Sequence, residues 1–92
     1  RGFATIMKFK VKGEVDLYEF KVPFKGTFDL DEASILDKIS WRIIDNDKLD
    51  WLEILTEYVM STYGPFAIEI TECNIDGEAM INQVKEWPEH SE

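Results

Sequence analysis

Three observations in this 92-residue chain predict an α+β fold. Apolar residues alternate along positions 3–24, recur at helical spacing along 30–63, and alternate again from 66 to 71. The element order reads ββααβ(β). The simplest arrangement that buries both kinds of apolar stripe is a small antiparallel sheet with two helices packed on one face: a β-hairpin, two helices, then one or two strands (ββααββ). No linker or repeat divides the chain, so residues 1–92 read as a single domain.

The hairpin comes first. Phe3, Thr5, Met7, Phe9 and Val11 alternate with Ala4, Ile6, Lys8, Lys10 and Lys12, and a second alternation runs through Asp16, Tyr18, Phe20, Val22 and Phe24. Gly13-Glu14 suits a two-residue turn with glycine in the left-handed first position. That turn places Phe9 opposite Tyr18, Met7 opposite Phe20, Thr5 opposite Val22 and Phe3 opposite Phe24. On the other face it sets Lys8 against Glu19 and Lys10 against Leu17. Pro23 assigns the second strand an edge position or a bulge, and Pro23–Thr27 reads as a connector. Met7 opens Met-Lys-Phe-Lys-Val, which reads as a native start, so residues 1–6 are either an appended remnant or native sequence.

Asp29-Leu-Asp-Glu32 reads as a helix N-cap with an acid at N3. Ile35, Leu36, Ile39 and Ile43 follow at helical spacing, giving a helix over about 30–44. Asp45-Asn46-Asp47 breaks it. Asp47 or Asp50 caps a second helix bearing Leu52, Leu55, Val59 and Tyr63, and Gly64-Pro65 stops that helix. Phe66, Ile68 and Ile70 start a third strand at once. Asp76-Gly77 is a hairpin-turn signal. Beyond it Ala79 and Ile81 suit a strand, whereas Met80, Val84 and Trp87 suit a helix; a short fourth strand is the expectation, with 88–92 as a flexible polar tail.

Composition bounds the function. Apolar residues at 45 % support a core and argue against global disorder. The single cysteine, Cys73, forms no internal disulfide and no zinc site alone, so a reducing, cytoplasmic setting is the expectation. No apolar run reaches the roughly 18–20 residues that span a bilayer, so no membrane role is expected.

Charge is split along the chain. Residues 1–28 hold six bases against three acids, and residues 29–92 hold sixteen acids against four bases, within a net charge of −9. The lysines at 8, 10, 12, 21 and 25 read as edge protection. A strongly acidic total repels a polyanion, so direct nucleic-acid binding is not expected.

No catalytic motif stands out. His90, beyond Pro88, reads as a solvated tail residue without the held geometry a general base needs. The run Asp45–Asp50 starts like a calcium loop, but Leu49, Asp50 and Thr56 stand where that loop needs a ligand, a glycine and a glutamate. Cys73 lies among Glu72, Asn74 and Asp76, surroundings that raise a thiol pKa. Phosphate-loop glycines are absent. Neither a metal, a cofactor nor enzymatic activity is expected.

The remaining candidates form a partner-binding set: Asp50, Glu53 and Glu57 on one stripe of the second helix, with Asp45, Asp47 and Trp41 beside it. The stripe steps by about 4.5 and 6 Å, on the scale of the phosphate repeat of a nucleic-acid strand. Trp41 lies off the Ile35/Ile39/Ile43 stripe, where it either covers the sheet edge or stands exposed at an interface. Small size, acidity and the lack of a catalytic motif are shared, as a class, with short bacteriophage inhibitors, some of which imitate DNA. The expectation is a non-enzymatic acidic protein that occupies a basic site on a partner. The alternatives are a homodimeric assembly module that self-associates through a strand edge and exposed aromatics, and a small carboxylate-based enzyme.

Overall fold

Two long strands dominate the computed structural model, which describes residues 5–64 and 67–90. Strand β1 (Ile6–Leu17) and strand β2 (Phe20–Asp31) form an antiparallel hairpin closed by Tyr18-Glu19. Strand β3 (Ile68–Cys73) pairs antiparallel with the other side of β1, so the sheet order is β2-β1-β3.

The hairpin corrects the predicted register. Phe9 pairs with Phe28, Met7 with Leu30, Lys8 with Asp29 and Lys10 with Thr27, and the turn lies at Tyr18-Glu19 instead of Gly13-Glu14. Pro23–Thr27 is strand, and Phe3 lies outside the described residues. The physical reason is Gly13. It sits inside β1, where a Cβ would collide with the Glu69 carbonyl of β3. Glycine is needed here for close backbone approach, a second use of a residue that also suits turns. The turn instead holds Tyr18 at φ 58°, a left-handed conformation that a side-chain-bearing residue seldom adopts.

Close approach at Gly13 coincides with a bulge. Lys12 pairs with Glu72 and Gly13 with Ile70, so Thr71 is the extra residue. Its hydroxyl donates to the Lys12 carbonyl (3.3 Å). The bulge flips the parity of β3. Ile68 and Ile70 before it and Cys73 after it consequently share the inward face.

Helix α1 (Glu32–Ile44) follows β2 directly. Its N-cap is Asp31, not Asp29, because β2 runs on to Asp31; the Asp31 carboxylate accepts from the Ser34 hydroxyl (2.9 Å) and not from a backbone amide. Helix α2 (Trp51–Tyr63) is capped by Asp50, whose carboxylate accepts from the Glu53 amide (3.3 Å), and ends at Gly64 with φ 113°. The predicted fourth strand is a helix, α3 (Gly77–Lys85). Asp76 is its N-cap, accepting from the Ala79 amide (3.2 Å), and not a hairpin-turn residue. Gly77 lies flat against Trp51, because a Cβ there would enter the indole ring. Met80, Ile81 and Val84 then turn inward at helical spacing.

One face of the sheet carries the core. Phe9, Val11, Leu30 and Ile70 meet Ile35 and Ile39 of α1, Ile54, Leu55 and Val59 of α2, and Met80, Ile81 and Val84 of α3. Each such side chain contributes about 1.5–3 kcal/mol on burial. Phe9 and Trp51 pack with ring centroids 6.1 Å apart. Lys8, Lys10, Lys12, Lys25 and Thr27 stand exposed on the opposite, helix-free face.

The C-terminal segment corrects a further expectation. His90 is half-buried: its Nε2 lies 2.7 Å from the hydroxyl of Ser40, a buried polar residue of α1, and its ring stacks on Trp87. A turn ties it down, with the His90 amide donating to the Trp87 carbonyl (2.9 Å).

The two sheet glycines should therefore respond oppositely. Gly13→Ala is expected to lower stability in urea unfolding by about 2–3 kcal/mol, since backbone must move to admit the methyl group. At Gly26 an added Cβ meets the Phe28 ring at 3.5 Å and the Phe24 ring at 3.8 Å, both ordinary van der Waals contacts, so Gly26→Ala should change stability by less than about 1 kcal/mol.

Candidate functional site

The sequence-predicted residues converge on the corner between α1 and α2. Helix α1 ends in a Schellman motif: Asn46, at φ 57°, donates to the Ile43 carbonyl (3.1 Å), and Asp47 donates to the Arg42 carbonyl (2.8 Å). Asparagine tolerates the left-handed position and reverses the chain within six residues. Asp45, Asp47 and Lys48 are left exposed on the connection.

Arg42 organises this corner. Its side chain is only 16 % exposed. One guanidinium nitrogen donates to the Lys48 carbonyl (2.9 Å) and to Glu53 (2.8 Å), while the other contacts Glu57. A planar fork with several donors suits such multiple contacts, where a lysine would supply one point charge. The sequence shows Asp50, Glu53 and Glu57 as a stripe with no base between them on its own helix. The compensating base comes from the neighbouring helix, a placement that linear spacing does not reveal. Asp50 is committed to the helix cap. Of the six predicted residues, Glu53 and Glu57 are tied to Arg42, whereas Asp45, Asp47 and Trp41 present themselves to solvent.

Trp41 is 58 % exposed, in contrast to Trp51 at 9 %. Ile44, one turn along on α1, is 56 % exposed. Asp37 and Asp45 lie four residues either side of Trp41, so the exposed strip of α1 is an apolar pair flanked by carboxylates. Ile44 and Asp37 complete a patch with Trp41 and Asp45, the two members that the sequence singles out.

A groove of about 620 Å³ lies between α2 and β3, lined by Asp50, Glu53, Glu57, Glu69, Thr56 and Thr71. Thr56 closes its floor, accepting from the Ile70 amide (3.1 Å). On the helix-free face of the sheet a shallow depression of about 530 Å³ is bordered by Lys10, Lys12, Lys25, Glu72 and Asn74. The helical segments 32–63 and 74–90 hold eleven acids against four bases, whereas the three strands and the hairpin turn hold seven against five. Both layers are net negative, the helical one more strongly.

Cys73 is half-buried, and burial pushes its thiol up, against the lowering effect of hydrogen bonds from the Ile75 and Asn74 backbone. Among the described residues no group of three His, Cys, Asp or Glu side chains is placed to hold a metal ion, and no helix is long and apolar enough to cross a membrane. Compared with protein-family models, curated proteins and solved structures, the chain matches none.

Two outcomes follow. Arg42→Ala should cost about 1–2 kcal/mol in thermal unfolding at low salt and less at high salt, with Arg42→Lys recovering under half. At pH 7–8 Cys73 should react with iodoacetamide more slowly than a free cysteine, since a raised pKa leaves less thiolate; full unfolding should restore the ordinary rate.

Proposed function

We propose that this protein is a non-enzymatic binding module whose acidic helix layer occupies a basic site on a partner protein. One observation carries the reading: Trp41 and Ile44 stand exposed side by side on α1, flanked by Asp37, Asp45 and Asp47. A tryptophan at the centre of a patch with a charged rim is the composition of an interface anchor. The carboxylates supply steering and register, and the aromatic supplies desolvated contact area.

The geometry shifts emphasis within the predicted set. Glu53 and Glu57 are partly neutralised by Arg42, so they frame the site while Trp41, Asp45 and Asp47 meet the partner. The layered charge supports a basic partner, because the helix layer approaches first in its field. Proteins that bind nucleic acid present such basic surfaces, and carboxylates ordered on a helix stand in for phosphates there, as in an inhibitor that imitates nucleic acid.

Capture of basic proteins from a bacterial lysate on immobilised protein tests the reading. Capture at low salt, loss at about 0.5 M salt where the Debye length falls to a few ångströms, and displacement by excess duplex DNA are expected. Trp41→Ala should weaken binding about 30-fold or more. Asp45→Asn with Asp47→Asn should flatten the salt dependence. Capture that is equally tight at both salts, or indifferent to these folded variants, rejects the proposal.

A further inference from the structure

The free edge of β2 has a defined length and centre. Residues of β1 that turn their backbone toward β3 leave their β2 partners unbonded to β1. Lys10 donates to the Asn74 side chain (2.7 Å), Lys12 accepts from the Thr71 hydroxyl (3.3 Å), and Asp16 donates to the Ala67 carbonyl (2.7 Å). Their β2 partners are Thr27, Lys25 and Lys21. These three, with Pro23 between them, therefore aim their backbone groups outward. At Asp29 the free stretch ends, because its carbonyl accepts from the Tyr63 hydroxyl (3.0 Å). The open edge runs from Lys21 to Thr27, and its midpoint is Phe24.

We infer that a second copy of this chain pairs with that edge, antiparallel, with the two-fold axis at Phe24. Full overlap sets Lys21 opposite Thr27, Pro23 opposite Lys25 and Val22 opposite Gly26 of the second copy. The amides of Lys21, Lys25 and Thr27 donate to the carbonyls of Thr27, Pro23 and Lys21 across the axis. Phe20, 62 % exposed at the projecting end of the hairpin, comes opposite Phe28, which already packs on the half-exposed Tyr63 with ring centroids 5.1 Å apart. The sheet becomes six-stranded, with both helix layers on one side.

Lysine and proline ordinarily blunt an edge. In this register they do not oppose themselves. Sliding the second copy by two residues one way sets Lys25 against Lys25; the other way sets Pro23 against Pro23 and Lys21 against Lys25. The guarding residues thus reject the neighbouring registers and leave the one centred on Phe24. Two seven-residue stretches with their side chains bury on the order of 1,000 Å², the low end for a specific interface, so the dimer is concentration-dependent.

Sedimentation and amide exchange on the full chain test this. Between about 10 µM and 1 mM, the range a small interface supports, the monomer should convert to dimer, and the Lys21, Lys25 and Thr27 amides should gain protection as it does. Phe20→Ser should weaken the dimer at least tenfold, and Thr27→Pro, which removes an outward amide, should abolish it. A monomer throughout that range, a dimer whose three amides exchange unchanged, or a dimer unaffected by Phe20→Ser overturns the inference. None of these substitutions touches the α1–α2 corner, so the result stands apart from the partner-binding reading.

Discussion

The close approach of two backbones at Gly13 is the constraint on which this structure depends. A side chain there would collide with the Glu69 carbonyl. With glycine, β3 lies against β1 and its bulge turns Ile68, Ile70 and Cys73 to the same side. Thr56 then reaches the Ile70 amide, which fixes α2 beside the sheet. The position of α2 in turn sets where Arg42 meets Glu53 and Glu57. A contact made possible by a missing Cβ is thereby linked to the acidic corner between α1 and α2.

Arg42 shows how a surface of uniform sign is made tolerable. Carboxylates at i, i+3 and i+7 on one helix repel one another modestly. Here a base from the adjacent helix absorbs that repulsion and at the same time holds the interhelix connection through the Lys48 carbonyl. The result is a corner whose backbone is fixed by capping and whose outward side chains, Trp41, Ile44, Asp45 and Asp47, make no contribution to the core. Rigid backbone beneath exposed aromatic and charged groups is the arrangement that lets a small surface bind without a large ordering cost.

The parts legible in the sequence are those set by local chemistry. The α+β class, the Asp50 cap, the Gly64 stop and the apolar face of the hairpin all follow from short-range pattern. The hairpin register does not. Alternation has period two, so it identifies which face is buried and leaves the slide between strands open. Phe9 faces inward in both registers, but its partner is ten positions from the expected one. A glycine consistent with a turn was in fact required for interstrand contact, and its partner, Glu69, lies 56 positions away. Asp76-Gly77 is ambiguous for a related reason: aspartate caps helices and opens turns with equal ease, and only the Trp51 ring against Gly77 selects the helix. Of the candidate site, the residue identities were legible; their division into bridged and free carboxylates was not, because Arg42 acts from another helix.

The sheet order carries a consequence for how the chain acquires this structure. The β1–β2 hairpin closes over two residues, whereas β1–β3 pairs join positions 53 (Val15 to Ile68) to 62 (Val11 to Cys73) residues apart. Closing the longer loop costs more entropy and proceeds more slowly. The hairpin therefore precedes β3, and in that interval the inner edge of β1 is open alongside the outer edge of β2. Proline and lysine restrict the registers in which the outer edge can pair, but the inner edge depends on arrival of a strand made late in synthesis. The vulnerable period of this protein is the time between completing its second strand and its third, and its susceptibility to misassociation is set by the rate of that long-range closure more than by its final stability.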